Sequence, residues 1–380
     1  MIYIHFPFCR TRCVYCGFYS ERATESGGTR KDFLKALCSE IASCEPSPST
    51  TVLDTLYIGG GTPSLMDSAA LQNVAAAVCV LREKSGLSGE IMEFTLEANP
   101  DDILRGGPQY VADLRAAGVN RVSLGVQSFD DAVLKRMGRR HSASAAGEAY
   151  ALLREGGVTD ISIDVIFGFA PGLDEKSFLE GLETFCGSLP LPDHISCYQL
   201  SVEEGSGLEK MLEKGLIALP DDDLCSGQYD MLCVALKSLG YGHYEISNWA
   251  LPGHRARHNS AYWDHTPYIG FGPGAHSLLK NADGSFSRRW NLPDLKAYLD
   301  ASVSGFGTIR AEETLSAVQF REEEIMLGLR TSEGVPASIL PQSARVGEPG
   351  SSGTLERIGN GRVRIPESSW FISDYIISGI

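Results

Sequence analysis

Three cysteines fall within eight residues, Cys9-Arg10-Thr11-Arg12-Cys13-Val14-Tyr15-Cys16. A thiolate is a strong metal ligand, and three on one tight loop can converge on one centre. The opening stretch MIYIHFPFCRTRC lacks a basic region followed by an apolar core and a small-residue cleavage site. Without an export signal, clustered cysteines read as a metal site in a reducing compartment rather than as disulfides. The number three then matters. A closed structural zinc site takes four ligands. A cubane iron–sulfur cluster has four irons, each wanting a ligand, so three thiolates leave one iron open to a substrate or cofactor. The alternative is a zinc site completed by His5 or a distant cysteine. The other seven cysteines, at 38, 44, 79, 186, 197, 225 and 233, are scattered singly and are expected in the core.

A second concentration lies late in the chain. Residues 241–276 hold His243, His254, His258, His265 and His276, five of the eight histidines, together with seven aromatic residues from Tyr241 to Phe271. Imidazole is the side chain that most readily serves as a metal ligand or titrates near neutrality.

These groups need a frame. Apolar, β-rich runs recur at Ile2–Ile4, Thr55–Ile58, Glu93–Leu96, Arg121–Leu124, Asp160–Ile163 and His194–Tyr198. Helical patterns lie between them, over 31–44, 68–84, 109–117, 130–137 with 143–155, and 175–186. Strands alternating with helices imply a parallel sheet, here a partial (β/α)6 barrel in an α/β chain, with a doubly wound sheet as the alternative. A barrel places its chemistry just after each strand. After the first come the cysteines, and after the second Gly59-Gly60-Gly61-Thr62-Pro63-Ser64. Later strands end on Glu97, on Gln127, on Asp164 and on Gln199. Three parts are expected: the barrel at 1–235, the histidine-rich region at 236–305, and a smaller, mostly helical domain at 306–380. Residues 342–353 read as a loop within the last.

Composition narrows the function classes. With 43% hydrophobic and 21% charged residues, the 380-residue chain is neither disordered nor fibrous. It has no apolar run long enough for an integral membrane segment. The formal net charge of −15 argues against nucleic acid as the main partner.

The spacing C-x3-C-x2-C, with Tyr15 before the last cysteine, resembles the radical S-adenosylmethionine (SAM) superfamily. Tyr3–Cys9, the GGGTPS run, Gly125-Val-Gln-Ser-Phe129 and the strand rhythm narrow the likeness to the anaerobic coproporphyrinogen III oxidase group. The resemblance covers Tyr3 to about Leu329 and continues loosely to the end, where it implies that the domain at 306–380 is winged-helix-like. It implies that Cys9, Cys13 and Cys16 hold a 4Fe–4S cluster whose open iron is chelated by SAM. An electron from the cluster would cleave SAM to methionine and a 5′-deoxyadenosyl radical, the cofactors carrying the hard chemistry. Tyr3 and Tyr15 would flank cluster and adenine. Gly60, Gly61 and Thr62 would let the backbone approach SAM's amino end, while Glu97, Gln127, Arg139, Asp164 and Gln199 would meet its polar groups. Read plainly, GGGTP is also a tight turn, Glu97 and Asp164 can cap helices, Gln127 can be a satisfied buried amide, and Arg139 can belong to a solvated face.

Two departures separate branches of that group. The decarboxylating oxidases carry a fourth cysteine two positions after the third, where this chain has Phe18, and a long arm before the cluster, whereas Cys9 here follows eight residues. The HemW-like haem chaperone branch carries H-N-x-x-Y-W, present as His258-Asn259-Ser260-Ala261-Tyr262-Trp263. That likeness implies haem as cargo, contacted by His258, Tyr262 and Trp263, since an imidazole can ligate iron and flat rings suit a porphyrin. Against it stands a hydrogen-bonded core histidine with packed aromatics. The expected partners are haem or a porphyrin, a haem acceptor protein that can be membrane-bound, and an electron donor such as a flavodoxin, met by Arg10 and Arg12 if these are not simply solvated. The expected location is the cytoplasm. The alternative function is the oxidative decarboxylation of coproporphyrinogen III.

Overall fold

The computed structural model describes residues 1–23, 28–45, 54–87, 89–169, 172–347 and 355–380. Six parallel strands follow the expected runs: β1 (Ile2–Phe6), β2 (Thr55–Gly60), β3 (Glu93–Ala98), β4 (Arg121–Gln127), β5 (Asp160–Phe167) and β6 (His194–Gln199). They lie side by side in chain order without the reversal that defines a doubly wound sheet. Three more strands extend them to nine: β7 (Gly242–Glu245), β8 (Asn248–Ala250) and β9 (Ile269–Phe271). β9 pairs in parallel with β1, Ile2 opposite Ile269, and β8 pairs antiparallel with β6. Residues 236–305 therefore flank both edges of the barrel sheet. The outer edges, β7 and β9, do not pair, so the barrel is partial.

The strands alternate with period two, and this alternation builds both core and lumen. Leu56, Ile58, Phe94, Leu96, Val122, Leu124, Ile161, Ile163 and Ile195 face the helices and are buried in one continuous core. Each contributes about 1.5–3 kcal/mol. The intervening residues face inward and are polar: Tyr57, Glu93, Glu97, Arg121, Ser123, Ser162, Asp164, His194, Ser196 and Tyr198. Strands buried on both faces of a packed sheet read as unbroken apolar runs. These do not, because their second face lines cavities.

The outer helices begin at short polar caps. Asp67 accepts from the Ala70 N–H before Ser68–Lys84, Ser142 caps Ala143–Glu155, and Asp174 closes a capping box on Glu175–Cys186. The helix expected over 109–117 spans Pro100–Ala116 and kinks at Gly107, whose φ of 64° and following Pro108 interrupt its first turns. Of the seven single cysteines, Cys186, Cys197 and Cys225 are buried, but Cys79 is exposed and Cys38, Cys44 and Cys233 are half-buried. The expectation of a core place for all seven is corrected: Cys38, Cys79 and Cys233 lie on helices beside the buried stripe rather than within it, and Cys44 just follows the helix Gly28–Ser43.

Beyond the barrel, strands His276–Lys280, Phe286–Asn291 and Arg310–Leu315 form a three-stranded antiparallel sheet. Helix Ala317–Gly328 packs against helix Arg257–Trp263. A four-stranded sheet that includes Leu355–Ile358 and Arg362–Arg364 follows, then a helical ending at Ser373–Ser378. Half of the expected loop over 342–353, residues 348–353, lies outside the described residues. Among the described residues, no helix is long and apolar enough to cross a membrane.

Candidate cofactor site

At the C-terminal ends of the strands lies a cavity of ≈ 600 Å³. Cys9, Cys13 and Cys16 line it, as do Tyr15, Gly60, Gly61, Thr62, Glu97, Gln127, Arg139, Asp164 and Gln199. Six strand ends thus bring twelve of the residues singled out in the sequence around one space.

The cysteine loop is clamped from two sides. The Val14 N–H donates to the Met137 carbonyl at 3.2 Å, and the Val14 carbonyl accepts from the Leu208 N–H at 2.7 Å. Met137, Phe169, Leu208 and Ile217 form a small apolar core of their own, with Tyr15 against it. Below the loop, the Thr62 hydroxyl donates to Cys9 Sγ at 3.4 Å, and Arg139 donates to Cys13 Sγ at 3.4 Å. The same guanidinium donates to Asn99 Oδ1 at 2.6 Å and to the Gly125 carbonyl at 2.7 Å, so Arg139 is built into the wall rather than into a solvated face.

The glycine run has a different reason from the one expected. A Cβ at Gly61 would stand 2.7 Å from the Phe8 carbonyl oxygen, and one at Gly60, whose φ is 105°, would stand 2.5 Å from the His5 ring. The Gly61 and Thr62 N–H groups donate to the Phe6 and Phe8 carbonyls. The glycines let β2 cross closely over the strand that leads into the cysteine loop. Only their outer face is left to a ligand. Gln127 has a φ of 69° at a bulge in β4, the device that turns a strand end toward a site.

Two acids stand in the lumen wall. Glu97 accepts from the Tyr57 hydroxyl at 2.8 Å and from the Gly60 N–H at 3.1 Å. Burial pushes its carboxyl up to about 7 against the Tyr57 bond, with Asp164 adding to the rise. Burial likewise raises Asp164, which accepts from the Ser123 hydroxyl at 2.9 Å. Two acids raised by burial and facing one walled cavity are suited to receive a cationic or hydroxyl-bearing ligand.

One expectation is corrected by position. Tyr3 does not line this cavity; its hydroxyl meets His5 Nδ1 at 3.2 Å and its ring stacks on Tyr57, one layer lower in the lumen. Arg10 donates to the buried Asp102 at 3.1 Å and Arg12 to the Cys16 carbonyl, and both side chains stay exposed on the loop surface. Sequence reasoning passed over Tyr57 and Ser123, which share the inward phase of their strands with Glu97 and Asp164; period-two alternation is the available signal.

The signature helix Arg257–Trp263 sits at the opposite end of the lumen, where the strands begin. The Glu93 carboxylate accepts from the Arg257 and His258 N–H groups at 2.6 and 2.9 Å. His258 is 1% exposed, with Nδ1 on the Thr55 hydroxyl at 2.8 Å and Nε2 on the Tyr262 hydroxyl at 3.0 Å. Burial lowers it to about 3, so it is neutral. Neither nitrogen is free for iron, and the expectation of a haem ligand at His258 is corrected: it is a hydrogen-bonded core residue. Tyr262 is committed to it, and Trp263 ends the same helix. Beneath the upper cavity these residues enclose a polar chamber of ≈ 170 Å³.

The donor set can be tested against the cofactors it suggests. Among the described residues, the one group of three or more His, Cys, Asp or Glu ligand atoms within 4.8 Å of one another is Asp160, Asp193 and His254, which already pairs with Arg121 and Arg154. The three thiols stand wider apart, too wide for a single zinc ion with bonds of about 2.3 Å but open to a larger cluster. His5 has both ring nitrogens engaged within the protein, Nδ1 at 3.2 Å from the Tyr3 hydroxyl and Nε2 at 2.9 Å from the Tyr19 carbonyl oxygen. Burial raises the Cys9 and Cys16 thiols, so they ionise on binding metal. The buried Arg139 Nε has no partner, and it belongs to the group that already touches Cys13. The residues fit a cluster with a polar cofactor beside it.

A partial barrel with three thiols over a polar lumen is the layout of a radical SAM protein, and residues 3–183 match the family model of the Radical SAM superfamily. The chain is 33% identical over 345 residues to the heme chaperone HemW of Mycobacterium tuberculosis, covering 90% of this chain and 85% of that protein. It is 35% identical over 334 residues to HemW of Lactococcus lactis, covering 88% and 82%. With the mitochondrial radical S-adenosyl methionine domain-containing protein 1 of Mus musculus it shares 34% over 340 residues, covering 88% and 74%. Within the superfamily, the chain belongs to the HemW family. Its fold is that of Escherichia coli coproporphyrinogen III oxidase (HemN), with a TM-score of 0.76 at 19% identity, covering 99% of this chain and 88% of that one.

Proposed function

We propose that this protein is a haem chaperone: it binds haem and passes it intact to an acceptor haem protein, while a 4Fe–4S cluster and SAM occupy the upper cavity. The observation that carries this reading is the 33–35% identity to HemW proteins over 88–90% of the chain. Phe18 supports it, standing 67% exposed where the decarboxylating oxidases carry a fourth cysteine. When bound, the cluster and SAM supply one-electron chemistry at a sulfonium centre. This chain's own part is positional. Cys9, Cys13 and Cys16 hold the cluster, with Thr62 and Arg139 donating to two of the sulfurs. Glu97 and Asp164 receive the cationic and hydroxyl groups of SAM. The leading acceptor is a respiratory haem protein at the membrane, and the electron donor is a flavodoxin-like protein.

The test uses protein purified without oxygen. Iron and sulfide near four of each per chain, haem retained through gel filtration, and transfer of that haem to an apo-cytochrome are the expected results. Conversion of coproporphyrinogen III to protoporphyrinogen IX in the same preparation would replace the chaperone reading with the oxidase one.

A further inference from the structure

A groove of ≈ 590 Å³ opens at the lower end of the barrel, beside the β7 edge of the sheet. It shares no lining residue with the cluster cavity. Its floor is apolar: Tyr241, Ala250, Leu251 and Pro252. Its polar side chains are three cations, Lys237, Arg255 and Arg257, with no acid among the lining residues. In a chain of net charge −15, three cations around one apolar slot are a local inversion of charge. Arg255 pairs with Glu333 and covers the Tyr244 ring, whereas Lys237 and Arg257 have no side-chain acceptor among the described residues. Arg257 is also the residue that precedes His258. Its own N–H and that of His258 are fixed by the Glu93 carboxylate, so Glu93 holds the helix start that presents Arg257 to the groove.

An apolar slot rimmed by three cations, two of them without an ion-pair partner within 4.0 Å among the described residues, fits a flat apolar body bearing two carboxylates along one edge. Resting on the haem reading above, we infer that this groove takes the porphyrin, with Lys237 and Arg257 binding its propionates. Recognition by the acid edge leaves the iron's axial positions open, so an acceptor can take the iron by ligation before the propionates are released. It also places the cargo at the opposite end of the barrel from the cluster, out of reach of radical chemistry.

The experiment compares haem, iron-free protoporphyrin IX and the dimethyl ester of protoporphyrin IX, each titrated into anaerobically purified full-length protein. The diacid porphyrin binds within about threefold of haem, and the ester binds about tenfold or more weaker. Lys237→Glu with Arg257→Glu lowers haem affinity by about tenfold or more and flattens its salt dependence, with cluster iron and the thermal midpoint unchanged. Lys237→Gln with Arg257→Gln gives a smaller loss of the same kind, which guards against a fold effect of charge reversal. Equal binding of ester and diacid, or haem binding by both double variants as by the parent, overturns the groove and leaves the haem reading standing. Absence of haem binding by the parent protein overturns both.

Discussion

Arg139 joins the cluster loop to the barrel through one guanidinium, touching Cys13 Sγ, Asn99 and the Gly125 carbonyl. Its replacement by Ala leaves two buried acceptors unmatched, each at a cost of about 1–3 kcal/mol. Arg139→Ala is therefore expected to retain under half of the parent's cluster iron after anaerobic reconstitution, by iron and sulfide analysis, with Arg139→Lys intermediate because a lysine cannot span three acceptors. Glu97 carries a pH prediction. Its carboxyl sits at about 7 in the fold against an ordinary 4.5, chiefly through burial. A raised acid contributes stability that is fully present below pH 4.5 and is lost as pH rises through about 7. Glu97→Gln removes that slope. The ligand-free variant melts higher than the parent at pH 8, by about 1 kcal/mol after allowing for water in the cavity, and binds SAM about tenfold more weakly. Melting curves at pH 5 and pH 8 and calorimetry with SAM read both effects.

At the scale of elements, the cysteine loop, the GGGTP turn and the acids at strand ends were legible because spacing within one short segment survives folding unchanged. Helix Arg257–Trp263 was not. A histidine in a signature next to aromatic rings has the same sequence pattern whether it meets a ligand or plugs a barrel, and only the hydroxyls of Thr55 and Tyr262, one of them 203 residues away, decide the matter. His258→Ala is expected to lose about 2–4 kcal/mol in denaturant unfolding, from two hydrogen bonds and a buried ring. At a denaturant-free condition where the variant is still folded, its haem affinity stays within about threefold of the parent's. An iron-ligand role would instead abolish binding with little change in stability. Tyr3 was misplaced for a related reason: its strand was read correctly, but depth along a lumen is not visible in a period of two.

At the scale of the molecule, one buried carboxylate ties the first helix to the far end of the chain. Glu40, in helix Gly28–Ser43, is 0% exposed and accepts from the Gly272 N–H, from Asn291, from the Tyr298 hydroxyl and from Arg310. Removing one side of such a pair strands the other charge, at about 3–5 kcal/mol. Glu40→Ala is expected to lower the unfolding free energy by that amount, and Glu40→Gln by less, in urea titrations at pH 7. Nothing around Glu40 in the sequence marks it, since its partners lie more than 230 residues away. The pairing of β1 with β9 has the same long reach. During synthesis at about 5–20 residues per second, the strand that leads to the thiols emerges tens of seconds before its neighbour Ile269–Phe271 exists. Nascent chains stalled at residue 240 should therefore leave Cys9, Cys13 and Cys16 open to alkylation, while chains stalled beyond 330 protect them. Metal loading of this protein would then be an event that follows translation rather than one that accompanies it.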